Sequence, residues 1–179
     1  MSIEKVNDIV IKNKKLISNN NNNNTTTIMS NTQIMTELQT LDSNAYHIGD
    51  NLSLFKRVND NSISLVYFDP PYNTGRNFFN FDDRFKSVTD YIDFIKERVK
   101  ECFRCLKPNG NIVIHVEPKI SHYFRVICDE IFGINNFKNE IVWKTGGNAK
   151  NLYQLNRFHD TIIVYSKKGK GKNVFNPLY

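Results

Sequence analysis

Beyond Leu41 the apolar residues fall into blocks whose period alternates between that of a strand and that of a helix. Residues 45–48 predict a short strand ended by Gly49-Asp50, and residues 51–58 a short amphipathic helix broken by Asn59-Asp60-Asn61. The continuous apolar run at residues 63–68 predicts a buried strand. A polar and aromatic loop with Phe78, Phe79, Phe81 and Phe85 is expected over residues 76–86; Phe78 and Phe79 can line a pocket or anchor the loop to the core, and the core reading is preferred. Ile92, Ile95, Val99, Cys102, Phe103 and Leu106 then recur at helical spacing. They predict a helix over residues 89–107, capped by Ser87 or Thr89 and stopped by Pro108-Asn109-Gly110. A second buried strand is expected at residues 111–116 and a second helix at 119–132, closed by Gly133. Residues 140–143 and 161–165 predict two further strands, separated by a polar, glycine-containing stretch.

Strand and helix alternation of this kind predicts an α/β domain with a mainly parallel sheet. With no helix between them, the last two strands are expected to pair antiparallel at one edge. A chain of 179 residues has room for one such domain and not for two. Upstream, residues 1–40 contain the run Asn19 to Asn24 followed by Thr25-Thr26-Thr27, a composition that predicts a disordered extension. The domain is therefore expected over residues 41–167, with residues 168–179 as a basic tail. The chain contains no apolar run of membrane-spanning length, and its first residues lack the layout of a leader peptide. A soluble, intracellular protein without a membrane partner is expected.

Charge sharpens this outline in one place. Residues 1–137 hold 16 basic and 16 acidic side chains, whereas residues 138–179 hold 8 basic and 2 acidic, so the whole net charge of +6 lies at the C-terminal end. Such an end suits a polyanion, since each neutralised phosphate releases counterions, and it is equally readable as a solvated lysine-rich tail. Cys102, Cys105 and Cys128 are an odd number, and Cys102 and Cys105 lie inside a predicted helix. They read as small buried thiols and not as part of a zinc site with His122. His115, near the end of a buried strand, reads as a satisfied structural histidine.

The chemistry is concentrated where the strand at residues 63–68 ends, in Asp69-Pro70-Pro71-Tyr72-Asn73-Thr74-Gly75. The carboxyl ends of strands in open α/β sheets are where ligands bind. An exocyclic base amine is a poor nucleophile because its lone pair is delocalised into the ring. Two acceptors aimed at its hydrogens, the Asp69 carboxylate and the Pro70 carbonyl, can draw it toward a reactive geometry. Pro70 and Pro71 fix the backbone and remove donors, and Tyr72 offers a flat face to a base taken out of its stack. Read alone, those four residues fit an ordinary turn after a strand equally well.

Residues 69–75 resemble, position for position, the motif of the DNA amino-methyltransferases in the β-type permuted group, which includes type III modification subunits. Gly49-Asp50-Asn51-Leu52, residues 106–110, Ile131-Phe132-Gly133, Asn136-Phe137, residues 140–144 and residues 157–167 are similar to the same family. The resemblance implies a Rossmann-like sheet and S-adenosylmethionine as methyl donor. It also implies transfer to adenine N6 in preference to cytosine N4, on double-stranded DNA, in a restriction-modification setting. Asp69, Pro70, Pro71 and Tyr72 take the catalytic positions. Asp50 and Asp69 fall at cofactor-facing positions, Asp50 reading equally well as a helix cap. Asn73, Lys144 and Arg157 are the expected DNA contacts.

The family also has a glycine-rich cofactor loop, and neither Gly146-Gly147 nor Gly169-Lys170-Gly171 stands in a strand–turn–helix setting. An incomplete sheet is therefore expected, with the strand at residues 63–68 left as an open edge. Either a complementary methyltransferase half or a homo-oligomer could complete it. The alternative is an inactive remnant that retains nucleic-acid binding.

Overall fold

The computed structural model describes residues 8–12, 45–78, 81–146, 153, 155–168 and 174–175. In chain order the elements are β1 (Asp8–Lys12), α1 (Asn51–Phe55), β2 (Ile63–Asp69), the two-residue strands β3 (Asn77–Phe78) and β4 (Phe81–Asp82), and α2 (Val88–Cys105). There follow β5 (Leu106–Val116), α3 (Pro118–Phe132), a single 3-10 turn (Ile134–Asn136), β6 (Phe137–Lys144) and β7 (His159–Ser166). Five strands form one sheet in the order β1-β2-β5-β7-β6, and β3 and β4 form a separate small hairpin. β1, β2 and β5 are parallel, whereas β7 runs antiparallel to both of its neighbours. The last two strands thus pair antiparallel at an edge, as expected.

Alternation along the strands sorts the sheet into two faces. Val66 and Phe68, Ile112, Ile114 and Val116, and Thr161, Ile163 and Tyr165 are buried, while the residues between them are half-buried. α2 and α3 cover the buried face. Their own apolar stripes, Tyr91, Ile95, Val99 and Cys102 on α2 and Ile120, Phe124, Ile127 and Cys128 on α3, join it in one core. Phe124 meets Phe68 and Tyr91 edge to face, at centroid distances of 6.4 and 6.5 Å. Tyr165 is fixed from below by its hydroxyl, which donates to Asp129 Oδ1 of α3 at 2.5 Å. All three thiols are free and buried. Burial pushes each of them up, Cys105 to about 11.

α2 starts where a side chain can receive its orphan amides: Ser87 Oγ accepts from Asp90 N at 3.0 Å. It ends at Cys105, and β5 begins at once with Leu106, so Pro108 to Gly110 lie inside the strand and not in a separate turn. Gly110 is needed there, because a Cβ would stand 3.0 Å from the Ile63 and Ser64 carbonyls of β2. The last turn of α2 is tied to α1 by Arg104, which donates to the Phe55 and Val58 carbonyls at 2.6 and 2.9 Å and pairs with Asp60.

Further expectations are corrected. Residues 45–48 form no strand, and Tyr46 and Ile48 are about three-quarters exposed, at 76% and 77%. The outer neighbour of β2 is instead β1, which pairs with it from Asp8↔Leu65 to Lys12↔Asp69. The edge expected to be open is therefore occupied, by residues expected to be disordered. Physically, Ile9-Val10-Ile11 is a β-branched run inside a mostly polar tail, and the free amides and carbonyls of β2 give its strand ladder partners. The remainder of residues 1–40 lies outside the described residues, as do the Asn19–Asn24 run, Gly147 and most of the basic tail. The short expected loop at residues 76–86 contains the β3–β4 hairpin.

Candidate active site

β2 ends at Asp69, and the chain leaves the sheet through buried Pro70 and Pro71 before Tyr72 turns half-exposed. Proline at both positions supplies a fixed φ and no amide to satisfy. Tyr91 of α2 donates its hydroxyl to the Pro71 carbonyl at 3.0 Å, whereas among the described residues no donor reaches the Pro70 carbonyl. The loop then takes the left-handed conformation at Asn73 (φ 53°) and Gly75 (φ 75°).

Its shape is held by Asp83, only 2% exposed, which the sequence did not single out. Asp83 Oδ1 accepts from Asn73 N at 2.9 Å, and Oδ2 accepts from Thr74 N and Thr74 Oγ1 at 2.9 and 2.6 Å. A buried carboxylate facing three donors acts as a clamp on the loop. Nothing in its spacing separates Asp83 from Asp82 beside it; the β3–β4 hairpin that brings it back is the missing signal.

Within the loop Tyr72 donates its hydroxyl to Asp69 Oδ1 at 3.0 Å. Burial, and next the Asp69 charge with that hydrogen bond, push the Tyr72 phenol well above its ordinary range, so it remains a neutral donor. Among the described residues Asp69 Oδ2 accepts no hydrogen bond. Edge-on to the Tyr72 ring stands His115, at 6.3 Å between centroids and 66° between planes. His115 Nδ1 is 3.2 Å from the Tyr67 hydroxyl, and Nε2 is 3.2 Å from Asp160 Oδ2. The histidine is satisfied, as expected, but its partners are polar side chains next to the loop and not core groups.

The other singled-out residues are distributed around this centre. Asn73 belongs to the loop itself. Asp50 caps α1, accepting from Leu52 N and Ser53 N at 3.0 and 3.3 Å through Oδ1, while Oδ2 accepts from Arg98 at 2.7 Å. Arg98, only 4% exposed, also donates to Asn51 Oδ1 at 2.9 Å; burial lowers its guanidinium and Asp50 partly offsets that. Lys144 is exposed at the end of β6, opposite His159. Arg157 pairs with Glu117 at 3.0 Å, just past the end of β5. Both lie at the carboxyl end of the parallel strands, the end at which Asp69 leaves the sheet. Phe85 packs against Tyr91 and Phe94 at 5.0 and 5.1 Å, a core role. The Phe78 and Phe79 side chains lie outside the described residues.

An open sheet with an antiparallel strand set among parallel ones, and a prolyl loop with a carboxylate and a tyrosine at its carboxyl end, is a methyltransferase-type α/β domain. The solved PvuII DNA methyltransferase (cytosine-N4-specific) shares this fold with a TM-score of 0.55 at 20% identity, over 73% of this chain and 51% of that one. Residues 63–178 match the DNA methylase family, and the chain belongs to it. Type II methyltransferase M.HpaI of Haemophilus parainfluenzae is 35% identical over 126 residues, covering 70% of this chain and 39% of the relative. DNA adenine methyltransferase YhdJ of Escherichia coli K12 is 31% identical over 125 residues, covering 68% and 40%. The chain thus spans about two fifths of the length of these curated relatives.

Proposed function

We propose that the loop from Asp69 to Tyr72 receives the exocyclic amine of a DNA base, adenine N6 in preference to cytosine N4, for methylation. The observation that carries this reading is a pair of acceptors at one strand end, Asp69 Oδ2 and the Pro70 carbonyl, that no donor among the described residues reaches, beside the Tyr72 ring. The amine places one hydrogen on each acceptor, the base stacks on Tyr72, and the nitrogen lone pair is freed from the ring for attack. Lys144 and Arg157 lie on the same rim and meet phosphates, and Asn73 lies at the loop's mouth. Membership of the DNA methylase family and likeness to an adenine methyltransferase support the substrate class.

S-adenosylmethionine is the donor in this reading, and it supplies an electrophilic methyl group. In this reading Asp69 and Asp50 are the residues that would face it, Asp50 also capping α1 and accepting from Arg98. The described residues do not build a cradle for it: β1, the strand beside β2, runs on into Asn13-Lys14-Lys15 and not into a glycine-rich turn. The chain therefore supplies the base side of the site, and polypeptide beyond the described residues, in this chain or a partner, supplies the cofactor side.

The test is transfer of labelled methyl from S-adenosylmethionine to unmethylated DNA, followed by digestion to nucleosides. Label on N6-methyladenine that disappears with Asp69→Ala supports the reading. A chain that transfers no label even when the polypeptide completing the cofactor side is supplied, yet still retains DNA at low salt, supports the alternative, a remnant with nucleic-acid binding alone.

A further inference from the structure

The Tyr72 side chain is held at its two ends. Its Cβ stands on the loop whose next two residues Asp83 clamps, and its hydroxyl donates to Asp69 Oδ1 at 3.0 Å. Both points lie on the long axis of the ring, so the ring can turn about that axis and lose neither. Turning changes the plane of the ring, and the plane is what a stacked base meets. Among the described residues the ring that meets Tyr72 is His115, at 6.3 Å between centroids and 66° between planes, the geometry of an edge-to-face pair. His115 cannot turn in the same way. Its Nδ1 is 3.2 Å from the Tyr67 hydroxyl and its Nε2 is 3.2 Å from Asp160 Oδ2. A carboxylate only accepts, so Nε2 carries the ring proton toward Asp160. These two partners stand on β2 and β7, the strands on either side of β5. Strand parity puts all three side chains on one face, because Phe68 pairs with Ile114 and His115 with Ile162.

We propose that His115, held by Tyr67 and Asp160, is a positioning residue that sets the plane of the Tyr72 ring for stacking of the incoming base. The proposal rests on the reading of Tyr72 as the stacking surface. His115 itself touches no reacting atom. An imidazole bonded at both nitrogens loses both bonds when it rotates, so its plane is fixed by groups on the two neighbouring strands. That fixed edge then limits the rotation of Tyr72 which the hydroxyl tether leaves free. A ring already in its plane gives up little freedom when a base arrives, whereas a turning ring is ordered only at that moment. Ordering one such side chain on binding corresponds to about two- to tenfold in affinity.

Two readouts on the full chain test this, one without DNA and one with it. In the first, NMR relaxation of the ring carbons should report an ordered Tyr72 ring, and the His115 ring protons should carry a ring-current shift that Tyr72→Leu removes. His115→Ala should lower the order of the Tyr72 ring, while the Tyr91 ring on the packed face keeps its order. The double variant Tyr67→Phe with Asp160→Ala, which leaves His115 in place without its two partners, should loosen Tyr72 as well. In the second, a single-stranded thymidine oligonucleotide with one central 2-aminopurine is added at low salt, so that no base has to be unpaired. Stacking on an aromatic ring quenches this probe. The parent chain should quench it and Tyr72→Leu should abolish the quenching. His115→Ala should lose part of it and bind about two- to tenfold more weakly.

A Tyr72 ring as ordered in His115→Ala as in the parent chain overturns the proposal. Amide spectra of the same samples report whether each variant is folded. Where His115→Ala loosens the whole fold, the double variant decides, and an unchanged Tyr72 ring there overturns the proposal equally. None of these readings requires methyl transfer. Quenching through Tyr72 that is the same with and without His115 keeps the functional reading and loses this one. A Tyr72 ring ordered by His115 that leaves the probe bright keeps the ring contact and loses the reading of Tyr72 as a stacking surface, and the proposal with it.

Discussion

The two faces of the sheet are built from the same strands, one residue apart, and they do different work. On one face Val66, Phe68, Ile112, Ile114, Val116 and Ile163 are buried under α2 and α3. On the other, Tyr67, Asp69, His115 and Asp160 are half-buried, with Tyr67 and Asp160 each hydrogen-bonded to His115 and Asp69 to Tyr72. Phe68 and Asp69 are adjacent in sequence and belong to opposite economies. Removing the first leaves a void in close packing; removing the second changes an acceptor at a rim. The comparison teaches that stability and chemistry are separable here by strand parity alone, and the separation can be tested residue by residue.

The largest effect is expected on the packed face. Phe124→Ala removes the ring that meets both Phe68 and Tyr91 and should cost roughly 3–5 kcal/mol, read by urea unfolding. The next tests a polar element on that side. Arg98→Met leaves Asp50 and Asn51 without their buried donor and should cost on the order of 2 kcal/mol, read in the same way. Asp83→Asn sharpens the comparison, because it attacks the site's frame and not its chemistry. Three donors lose a charged acceptor, at a cost of about 1–2 kcal/mol, and amide exchange at Asn73 and Thr74 should accelerate more than in the core strands. Ser87→Ala removes the cap of α2 and should cost about 1 kcal/mol.

The smallest effect concerns reactivity. The folded-state thiol of Cys105 is pushed up to about 11 by burial, and Cys102 and Cys128 are raised too. A raised thiol is neutral below its own midpoint and becomes nucleophilic only as pH rises through it, so at pH 8 all three are protonated. Alkylation by iodoacetamide should be negligible at that pH until denaturant is added. Rapid labelling of the native chain would show that the packed face opens.

What could be read from the sequence follows the same division. The buried face announces itself through continuous apolar runs and the helical stripes Ile92 to Leu106, and the loop through an uninterrupted seven-residue motif. Features that depend on register were not legible. The contact of His115 with Asp160 exists because β7 runs antiparallel to β5 with His115 opposite Ile162, and no local pattern encodes that pairing. Asp83 reaches the loop only because β3 and β4 fold back. β1 was hidden by composition: three residues of strand propensity, Ile9, Val10 and Ile11, lie within a polar tail, and it is the unpaired ladder of β2 that gives them a place. Residues 45–48 failed in the opposite sense, since an apolar block with no neighbouring strand to join stays a loop.

The most direct measurement of the central claim uses one variant, Asp69→Asn, and two readouts. Its melting temperature should stay within a few degrees of that of the parent chain. Methyl transfer to DNA, assayed with whatever polypeptide completes the cofactor side, should fall to background. Transfer at the parental rate, or a melting temperature as low as that of Phe124→Ala, would contradict the claim.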